Sequence, residues 1–418
     1  MLDLDQAEAV PPRSLADEPS PLPGISRNVF LLALVSFWND IAGEMLYPVI
    51  PIFLASTLGA PFAAVGAVEG TAEAAASVLK GGSGWIADRF GQRKRLIAAG
   101  YLLSTLAKPL LGLATGWPFV LGARVLDRVG KGVRTAPRDA LIADSARAGV
   151  RGKAFGFHRA ADTAGAIIGP LVAIGLIAWL GEGNLRPIFL IAFLPGLAAV
   201  ALVPLVRDQA RHRAVADQMA RAPLRWSPPL ALFFGVSGLF ALVNSSDAFL
   251  ILRARGLGLS TTLTILAYVF YNTVYAGLST TAGSWSDRVG RKPALVLGLL
   301  LFAAVYAGFA LASSSLWVWP LFVVYGAYIA LTDGVGKALI ADLAPATSRA
   351  TALGLYYLLV GVGTLVASLV AGGLWDRLGA PAPFWYGAGG ALLAALLLTL
   401  APLEEAARRA GRGAERRA

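Results

Sequence analysis

LGARVLDRVGKGVRTAPRDALIAD, residues 121–144, is the stretch that decides how the rest of the chain must fold. It lies where the surrounding hydropathy demands a membrane-spanning helix, yet it carries Arg124, Asp127, Arg128, Lys131, Arg134, Arg138 and Asp139. At about 3.6 residues per turn, positions 124, 127, 131, 134 and 138 fall on one face of a helix. A charge at mid-bilayer costs on the order of 3 kcal/mol, so this face cannot contact lipid. It must line a cavity or contact other charges inside a helical bundle, where polar residues usually mark the path of an ion or a substrate.

The composition indicates a membrane protein with many spans. Of the 418 residues, 56% are hydrophobic and 15% are charged, whereas soluble domains average about 25% charged residues. The net charge is +11, but the basic residues cluster in short loops between apolar segments, as the positive-inside rule requires. We therefore expect no nucleic-acid partner. The chain has no cysteine and only two histidines, His158 and His212, which excludes thiolate and imidazole metal clusters.

Twelve apolar segments, each of roughly 20 residues, are long enough to span a bilayer. The predicted helices are 28–56, 62–82, 96–115, 118–143, 155–179, 187–206, 229–252, 262–283, 294–313, 316–341, 350–373 and 383–402. The loops after helices 2, 4, 6 and 8 hold most of the Lys and Arg residues between spans. This asymmetry predicts a multi-pass protein of the cell (inner) membrane with both termini in the cytoplasm.

Two stretches of the chain recur at a near-constant offset. GWIADRFGQRKR at 84–95 returns as GSWSDRVGRK at 283–292, an offset of 199, and ALIAD at 140–144 returns at 338–342, an offset of 198. Such a repeat predicts two parallel copies of a six-helix unit.

The resulting fold class is an all-α membrane protein with two pseudo-symmetric six-helix bundles. We predict bundles at 28–206 and 229–402, joined by a polar, proline-containing cytoplasmic linker at 207–228. Residues 1–27 lack the apolar core of a signal peptide and are expected to be a disordered tail. Residues 403–418 form a basic tail.

The repeated loops resemble the motif G-x-L-x-D-R-x-G-R-[RK] of the major facilitator superfamily, and the resemblance covers essentially all of 28–402. The matching residues are Gly84, Asp88, Arg89 and Gly91 in the first copy, with Gly283, Asp287, Arg288 and Gly290 in the second. Glycine permits the turn, and an Asp can accept hydrogen bonds from a helix N-terminus or an Arg. We expect a conformational latch whose acids pair with the neighbouring half when the cytoplasmic side is closed. The alternative is that these residues only set the topology.

Three further segments resemble motifs of the same family. LDRVGKGVRTA at 126–136 is similar to its helix-4 motif, and WNDIAGEMLYP at 38–48 is similar to the helix-1 motif of exporters. GAIIGP at 165–170 resembles the helix-5 signature of proton-coupled antiporters. The resemblance implies a proton-coupled antiporter of drug or metabolite type, although a Gly-Pro pair could simply bend a helix.

Four acids on the first two helices are the candidates for proton coupling: Asp40, Glu44, Glu69 and Glu73. Each helix presents its two acids four residues apart, hence on one face. Moving an Arg relative to such a desolvated acid would load or release a proton. Each acid could instead belong to a permanent ion pair.

The candidate substrate cavity combines the charged face of helix 4 with polar residues of other helices. Its residues are Lys108, Arg124, Asp127, Arg128, Lys131, Arg134, Asp247, Tyr271, Tyr275, Asp333 and Lys337.

The function that these features favour is a proton-coupled antiporter, a monomer in the lipid bilayer, that exports a small organic molecule by alternating access. It would need no cofactor and would use the proton gradient as its energy source. Two alternatives stay open: an importer of an organic anion, because helix 4 is basic, and a divalent-metal transporter using the four carboxylates. An enzyme is not expected, because no nucleotide-binding loop, paired metal-binding histidines or cysteine nucleophile is present.

Overall fold

A computed structural model of the chain describes residue 22 and residues 25–90, 93–146, 151–208, 226–345 and 348–402, without the side chains of 81–90, 151, 152 and 350. Most of the predicted N-terminal tail and of the predicted linker, and all of the predicted C-terminal tail, lie outside these residues, so their boundaries stay predictions.

Twelve helical segments cross the described part of the chain. In the first half they are α1 (Arg27–Glu44, continued by Val49–Ile52 and a π-helical turn at Phe53–Thr57), α2 (Phe62–Phe90), α3 (Arg93–Leu113), α4 (Trp117–Asp144), α5 (Arg151–Leu180) and α6 (Arg186–Ile191, Phe193–Leu202 and Val203–Leu205). In the second half they are α7 (Pro228–Ala241 and Ala248–Gly256), α8 (Thr261–Val289), α9 (Arg291–Leu311), α10 (Ser315–Trp317 and Val318–Leu343), α11 (Arg349–Leu378) and α12 (Ala382–Leu400). The described residues contain no strand, and the predicted all-α class with twelve helices is confirmed.

Nine of these segments are long and apolar enough, by length and composition alone, to cross a membrane within the described residues. The other three are α4, which carries the charged stripe, α7, which is broken, and α8, which is rich in Thr and Tyr. Each of the three packs among other helices, so its polar residues need not face lipid.

Three helices predicted as continuous are interrupted in the structure, and one of them, 187–206, is divided only at Ala192. The segment predicted at 28–56 is one apolar span, Arg27–Thr57, but its helix turns at residues 45–48, where Pro48 supplies no backbone N–H. The predicted helix 229–252 is broken at residues 242–247, which include Asn244 and Asp247. Short polar side chains compete with helical hydrogen bonds, which explains the break at residues 242–247.

The helices define two faces of the molecule. On the terminal face, where α1 begins and α12 ends, Asn28 exchanges two hydrogen bonds with Arg207, and the Lys292 Nζ donates to the Ala401 carbonyl at 2.8 Å. On the distal face lie the connections after α1, α3, α5, α7, α9 and α11, such as 57–62 and 256–261. Both ends of the helical region therefore lie on the same face.

The two halves meet along α2 with α11 and α5 with α8. Glycines on both sides of the α2–α11 contact bring backbone against backbone. A Cβ on Gly66 would overlap the Ser368 carbonyl oxygen, and one on Gly372 would lie 2.5 Å from the Phe62 carbonyl oxygen. Small residues of this kind permit close helix approach in membranes.

Candidate functional site

The charged stripe of α4 faces the interior of the first half. The side chains of Arg124, Arg128 and Arg134 are buried, with 4%, 8% and 5% of their surface exposed. Gly130 allows α4 to approach α3 so closely that a Cβ there would lie 2.6 Å from the Ser104 Oγ. The charges are therefore sheltered from lipid by packing, as the sequence predicted.

Arg124 forms a buried ion pair with Glu69. Its Nε donates to the Glu69 Oε1 at 3.0 Å, and its Nη2 donates to the Oε2 at 2.6 Å. Asp127 lies 3.5 Å from the Nη1 of the same guanidinium. This bidentate geometry is typical of a strong structural pair. It assigns Glu69, a candidate coupling acid, a permanent partner in this structure.

Ser104 of α3 forms hydrogen bonds with a second part of the charged stripe. Its Oγ accepts a hydrogen bond from the Arg134 Nη1 at 2.6 Å and donates one to the Asp127 carbonyl at 2.9 Å. The Arg134 guanidinium also stacks 4.5 Å from the centre of the Tyr101 ring, and the Lys108 Nζ donates to the Ser104 carbonyl. Arg134 and Lys108 are thus engaged within the first half.

Arg128 and Lys131 are the members of the stripe that remain available. The Arg128 Nε is buried and has no hydrogen-bond partner in the described part of the chain. Its guanidinium lies 5.9 Å from the centre of the Tyr47 ring. Lys131 is half-buried and forms no ion pair with a described residue. These two cations are the part of α4 that a substrate could contact.

The acids of α1 lie where α5 packs closely. A Cβ on Gly165 or Gly169 would lie 2.6 Å from a carbonyl oxygen of α1, that of Phe37 or Ile41 respectively. The glycines of the GAIIGP segment therefore set the distance between α5 and α1. Asp40 accepts a hydrogen bond from the Asn39 side chain at 3.1 Å.

Glu44 contacts the other half of the molecule. Its Oε2 accepts a hydrogen bond from the Tyr268 hydroxyl of α8 at 2.7 Å. The charge that acts most strongly on Glu73 of α2 is that of Arg128. The two side chains do not form an ion pair in the described residues. Among the described residues Glu44 and Glu73, like Asp40, are therefore candidate coupling acids without a cation at ion-pair distance.

Asp247 lies in the break of α7 and is held by two tyrosines. The hydroxyls of Tyr271 and Tyr325 each donate to one of its oxygens at 2.6 Å. Asp333 instead forms an ion pair with Lys337 at 2.6 Å and accepts a hydrogen bond from the Tyr275 hydroxyl at 3.1 Å. The predicted second-half residues therefore form two separate groups.

The repeated loop motif is described only in its second copy. Gly290 has φ +101° and ends α8, a conformation that favours glycine. Asp287 pairs with Arg291 of the same half at 2.5 Å, and Arg288 is exposed. The side chains of Gly84, Asp88 and Arg89, and residue Gly91, lie outside the described residues. Pairing of this motif across the halves stays a prediction.

From the sequence, Tyr268 is one of several aromatic residues that could line a cavity, but its hydrogen bond to Glu44 is not predicted, and neither is the place of Tyr325 beside Asp247. Tyr268 precedes Tyr271 by three positions on α8, so helical spacing places the two rings on one face. Their ring centres are 5.2 Å apart. Tyr325 carries no such signal, because its role depends on the packing of α10 against α8.

The four candidate carboxylates of α1 and α2 do not form a metal site within the described part of the chain. Among the described residues, no group of three or more His, Cys, Asp or Glu side chains could hold a metal ion. Glu69 bonds to Arg124 and Glu44 to Tyr268, so the acids of α1 and α2 point to different partners.

Comparison with known proteins identifies a protein family whose members this chain resembles. The model of the Major Facilitator Superfamily matches residues 32–266 and 232–418. An uncharacterized MFS-type transporter of Methanocaldococcus jannaschii is 38% identical over 90% of this chain and 94% of its own length. A probable 4-methylmuconolactone transporter of Cupriavidus pinatubonensis is 29% identical over 75% of this chain and 76% of its own. The crystal structure of the nucleoside transporter NupG shares the fold, with a TM-score of 0.76 at 14% identity over 90% of this chain and 99% of that one.

Proposed function

Because this chain belongs to the major facilitator superfamily and is a membrane transporter of that type, we propose that it is a proton-coupled antiporter. It lies in the cell (inner) membrane with its terminal face in the cytoplasm. It exports a small organic molecule from the cell by alternating access. The placement of basic loops on the terminal face supports this orientation.

The observation that supports coupling most directly is the hydrogen bond from Tyr268 to Glu44. It joins α8 of the second half to α1 of the first at 2.7 Å. The charges that act on Glu44 are those of Lys131, Asp40 and Arg128, and none is within ion-pair distance in the described residues. When the halves rock apart, Glu44 loses this hydrogen-bond donor from the second half. Proton uptake then compensates for the lost hydrogen bond.

Proteoliposomes with an imposed pH gradient test this proposal. Purified protein is reconstituted, and a panel of organic cations and organic anions is screened for accumulation against the gradient and for release of an internal pH dye. Glu44→Gln should abolish gradient-driven accumulation and keep substrate exchange, because glutamine retains a hydrogen-bond acceptor but cannot carry a proton. Asp40→Asn, on the same helix, is the matched variant.

The two variants separate the possible outcomes. If Glu44→Gln keeps full gradient-driven transport and Asp40→Asn loses it, Asp40 is the coupling residue. If both keep it, coupling by the first helix is refuted and Glu73 becomes the next acid to test.

A second candidate function, import of an organic anion, is favoured by one observation. The Arg128 Nε is buried without a hydrogen-bond partner in the described part of the chain, and Lys131 lies one turn further along α4. A carboxylate could occupy such a position. Inward, gradient-independent flux of organic anions in the same liposomes would favour this candidate. The divalent-metal alternative receives no support from the described carboxylates.

A further inference from the structure

The second half contains a partly open cavity of about 290 Å³ between α7, α9, α10, α11 and α12. This volume is near the lower end of the range for small-molecule sites. Most of the lining is apolar or aromatic, with Phe240, Tyr325 and Tyr328 among the rings. Asn244 and Asp247 project from the break in α7, so the interruption of that helix supplies the polar wall of the cavity.

The charges of this cavity all have one sign. Its lining includes two carboxylates, Asp247 and Asp333, and no Lys, Arg or His. Asp333 is neutralised by the ion pair with Lys337. Among the described residues, the Asp247 carboxylate accepts hydrogen bonds from the neutral hydroxyls of Tyr271 and Tyr325 and has no cation at ion-pair distance. A buried carboxylate without a cation is costly unless something compensates its charge.

The other half adds to this negative field. Among the charged side chains of the first half, Glu73 and Glu44 act most strongly on Asp247, and both are acidic. The faces of tyrosine and phenylalanine rings attract cations as well. The side chains that line the cavity therefore favour a cation over an anion.

We propose that this cavity binds the cationic group of an organic ammonium compound, with Asp247 as its counter-charge and the rings of Phe240, Tyr325 and Tyr328 against its carbon skeleton. This inference rests on the proposed function, because it names the substrate class of that transporter.

A pair of probes with permanent and opposite charge tests it. Benzyltrimethylammonium and benzenesulfonate are of similar size and shape, and neither titrates in the working pH range. Isothermal titration of each into the purified full chain in detergent should show binding of the cation only. Asp247→Asn keeps a side chain of the same size whose amide can still hydrogen-bond to the two tyrosine hydroxyls, but it removes the negative charge. This variant should weaken cation binding at least tenfold.

A second variant leaves the charge intact. A Cβ on Gly336 would make ordinary contacts with Tyr356, Phe233 and Leu295, so Gly336→Leu fills the cavity without a backbone clash. It should also abolish cation binding. The inference is overturned if benzenesulfonate binds and the cation does not, if neither probe binds, or if both variants bind the cation as the wild type does. Cation binding without proton-coupled flux would instead refute the proposed function and leave this inference standing.

A different observation, on the distal face, carries a second inference. Asp376 at the end of α11 accepts hydrogen bonds from the backbone N–H groups of Phe62 and Ala63, at 2.9 and 2.8 Å. These are the first residues of α2, in the opposite half. The rings of Phe62 and Trp375 stack over this contact with their centres 4.5 Å apart.

The same contact recurs in the other copy of the repeat. Glu182, just beyond α5, accepts a hydrogen bond from the N–H of Thr261, the first residue of α8, at 3.2 Å. Arg255 lies 3.9 Å from the same carboxylate. The two capped positions, 62 and 261, differ by 199, which is the offset between the repeated loops at 84 and 283. Each half thus provides one acid and one helix N-terminus.

We infer that Asp376 and Glu182 form two equivalent latches that hold the distal face closed. Each supplies an acceptor for N–H groups that lack a partner within their helix, and each places a negative charge at the positive end of a helix dipole. Opening of the distal face breaks both.

The absence of cysteine from the sequence makes the test direct. The variant Tyr47→Cys carries a single thiol in the centre of the molecule. This thiol is reacted with a membrane-impermeant maleimide applied from the distal side. Asp376→Ala and Glu182→Ala should each raise the reaction rate about fivefold, and the double variant more than either. The reaction rate of Asp376→Asn, which keeps one hydrogen-bond acceptor, should lie between the rates of the wild type and of Asp376→Ala. Asp342→Ala on the terminal face is the control. An unchanged rate in the double variant overturns the inference.

Discussion

Replacing Glu69 by glutamine would leave the guanidinium of Arg124 buried without its bidentate acceptor. Both side chains have about one-twentieth of their surface exposed, and two hydrogen bonds of 3.0 and 2.6 Å join them. Breaking a buried pair of this kind costs about 3–5 kcal/mol. Because Asp127 lies only 3.5 Å from Arg124, it takes over part of the charge, and we expect the lower end, about 3 kcal/mol.

The chain offers a matched comparison. Asp333 and Lys337 also form a pair at 2.6 Å, but 43% and 33% of their side chains are exposed. Asp333→Asn should therefore cost about 0–1 kcal/mol. Removing both charges of the buried pair, in Glu69→Gln with Arg124→Gln, should recover part of the loss, because no uncompensated charge is left.

Thermal unfolding of the purified variants in detergent, followed by size-exclusion chromatography, measures these differences. We expect the order wild type, Asp333→Asn, the double variant and then Glu69→Gln. If Glu69→Gln unfolds at the wild-type temperature and loses gradient-driven transport instead, Glu69 is a coupling acid and the structural assignment of this pair is refuted.

Three further predictions follow from named contacts. Gly66→Ala should destabilise the chain by about 1–3 kcal/mol in thermal unfolding, because its Cβ would overlap the Ser368 carbonyl, whereas Gly389→Ala, with open space around it, should not. Ser104→Ala should cost about 1–3 kcal/mol, because Arg134 loses a buried acceptor, while Thr105→Val removes a buried hydroxyl that bonds to no described residue and should be near neutral. Partial burial would raise the pKa of Glu182, but the hydrogen bonds donated by the backbone of Thr261 and Thr262 outweigh it and hold the pKa below its ordinary value of 4.5. The Glu182 latch is therefore intact above pH 4.5 and is lost as the pH falls through that lowered pKa. The distance between two fluorescent labels on opposite halves of the distal face should lengthen on acidification in the wild type and stay unchanged in Glu182→Gln.

Helix positions were predictable where hydropathy and turn residues agree. The starts of α2 and α8 were predicted at 62 and 262 and lie at Phe62 and Thr261. The ends were predicted less well: α2 was expected to stop at 82 but continues to Phe90. Hydropathy reports where a helix leaves the bilayer core, whereas the helix itself continues until a turn residue or a cap ends it.

The partners of the charged residues were not predictable from the sequence. Helical spacing correctly places the stripe of α4 inside the bundle. It cannot tell that Arg124 bonds Glu69 while the buried Arg128 Nε has no hydrogen-bond partner among the residues that the structure describes. That distinction depends on the rotation and depth of α2 relative to α4. The pairing of Glu44 with Tyr268, which are 224 positions apart, likewise depends on how the two halves dock.

The contact between α2 and α11 has a kinetic consequence. At Gly66 and Gly372 main chain lies against main chain, so side chains do not interlock at these two positions. Interlocked side chains must change rotamer one after another before two helices can part, whereas smooth surfaces can separate in one movement. We therefore expect the activation barrier for parting these helices to be set by a few polar contacts at their ends. Bulky substitutions in the middle of the contact should then slow the conformational cycle more than they change the equilibrium between its states.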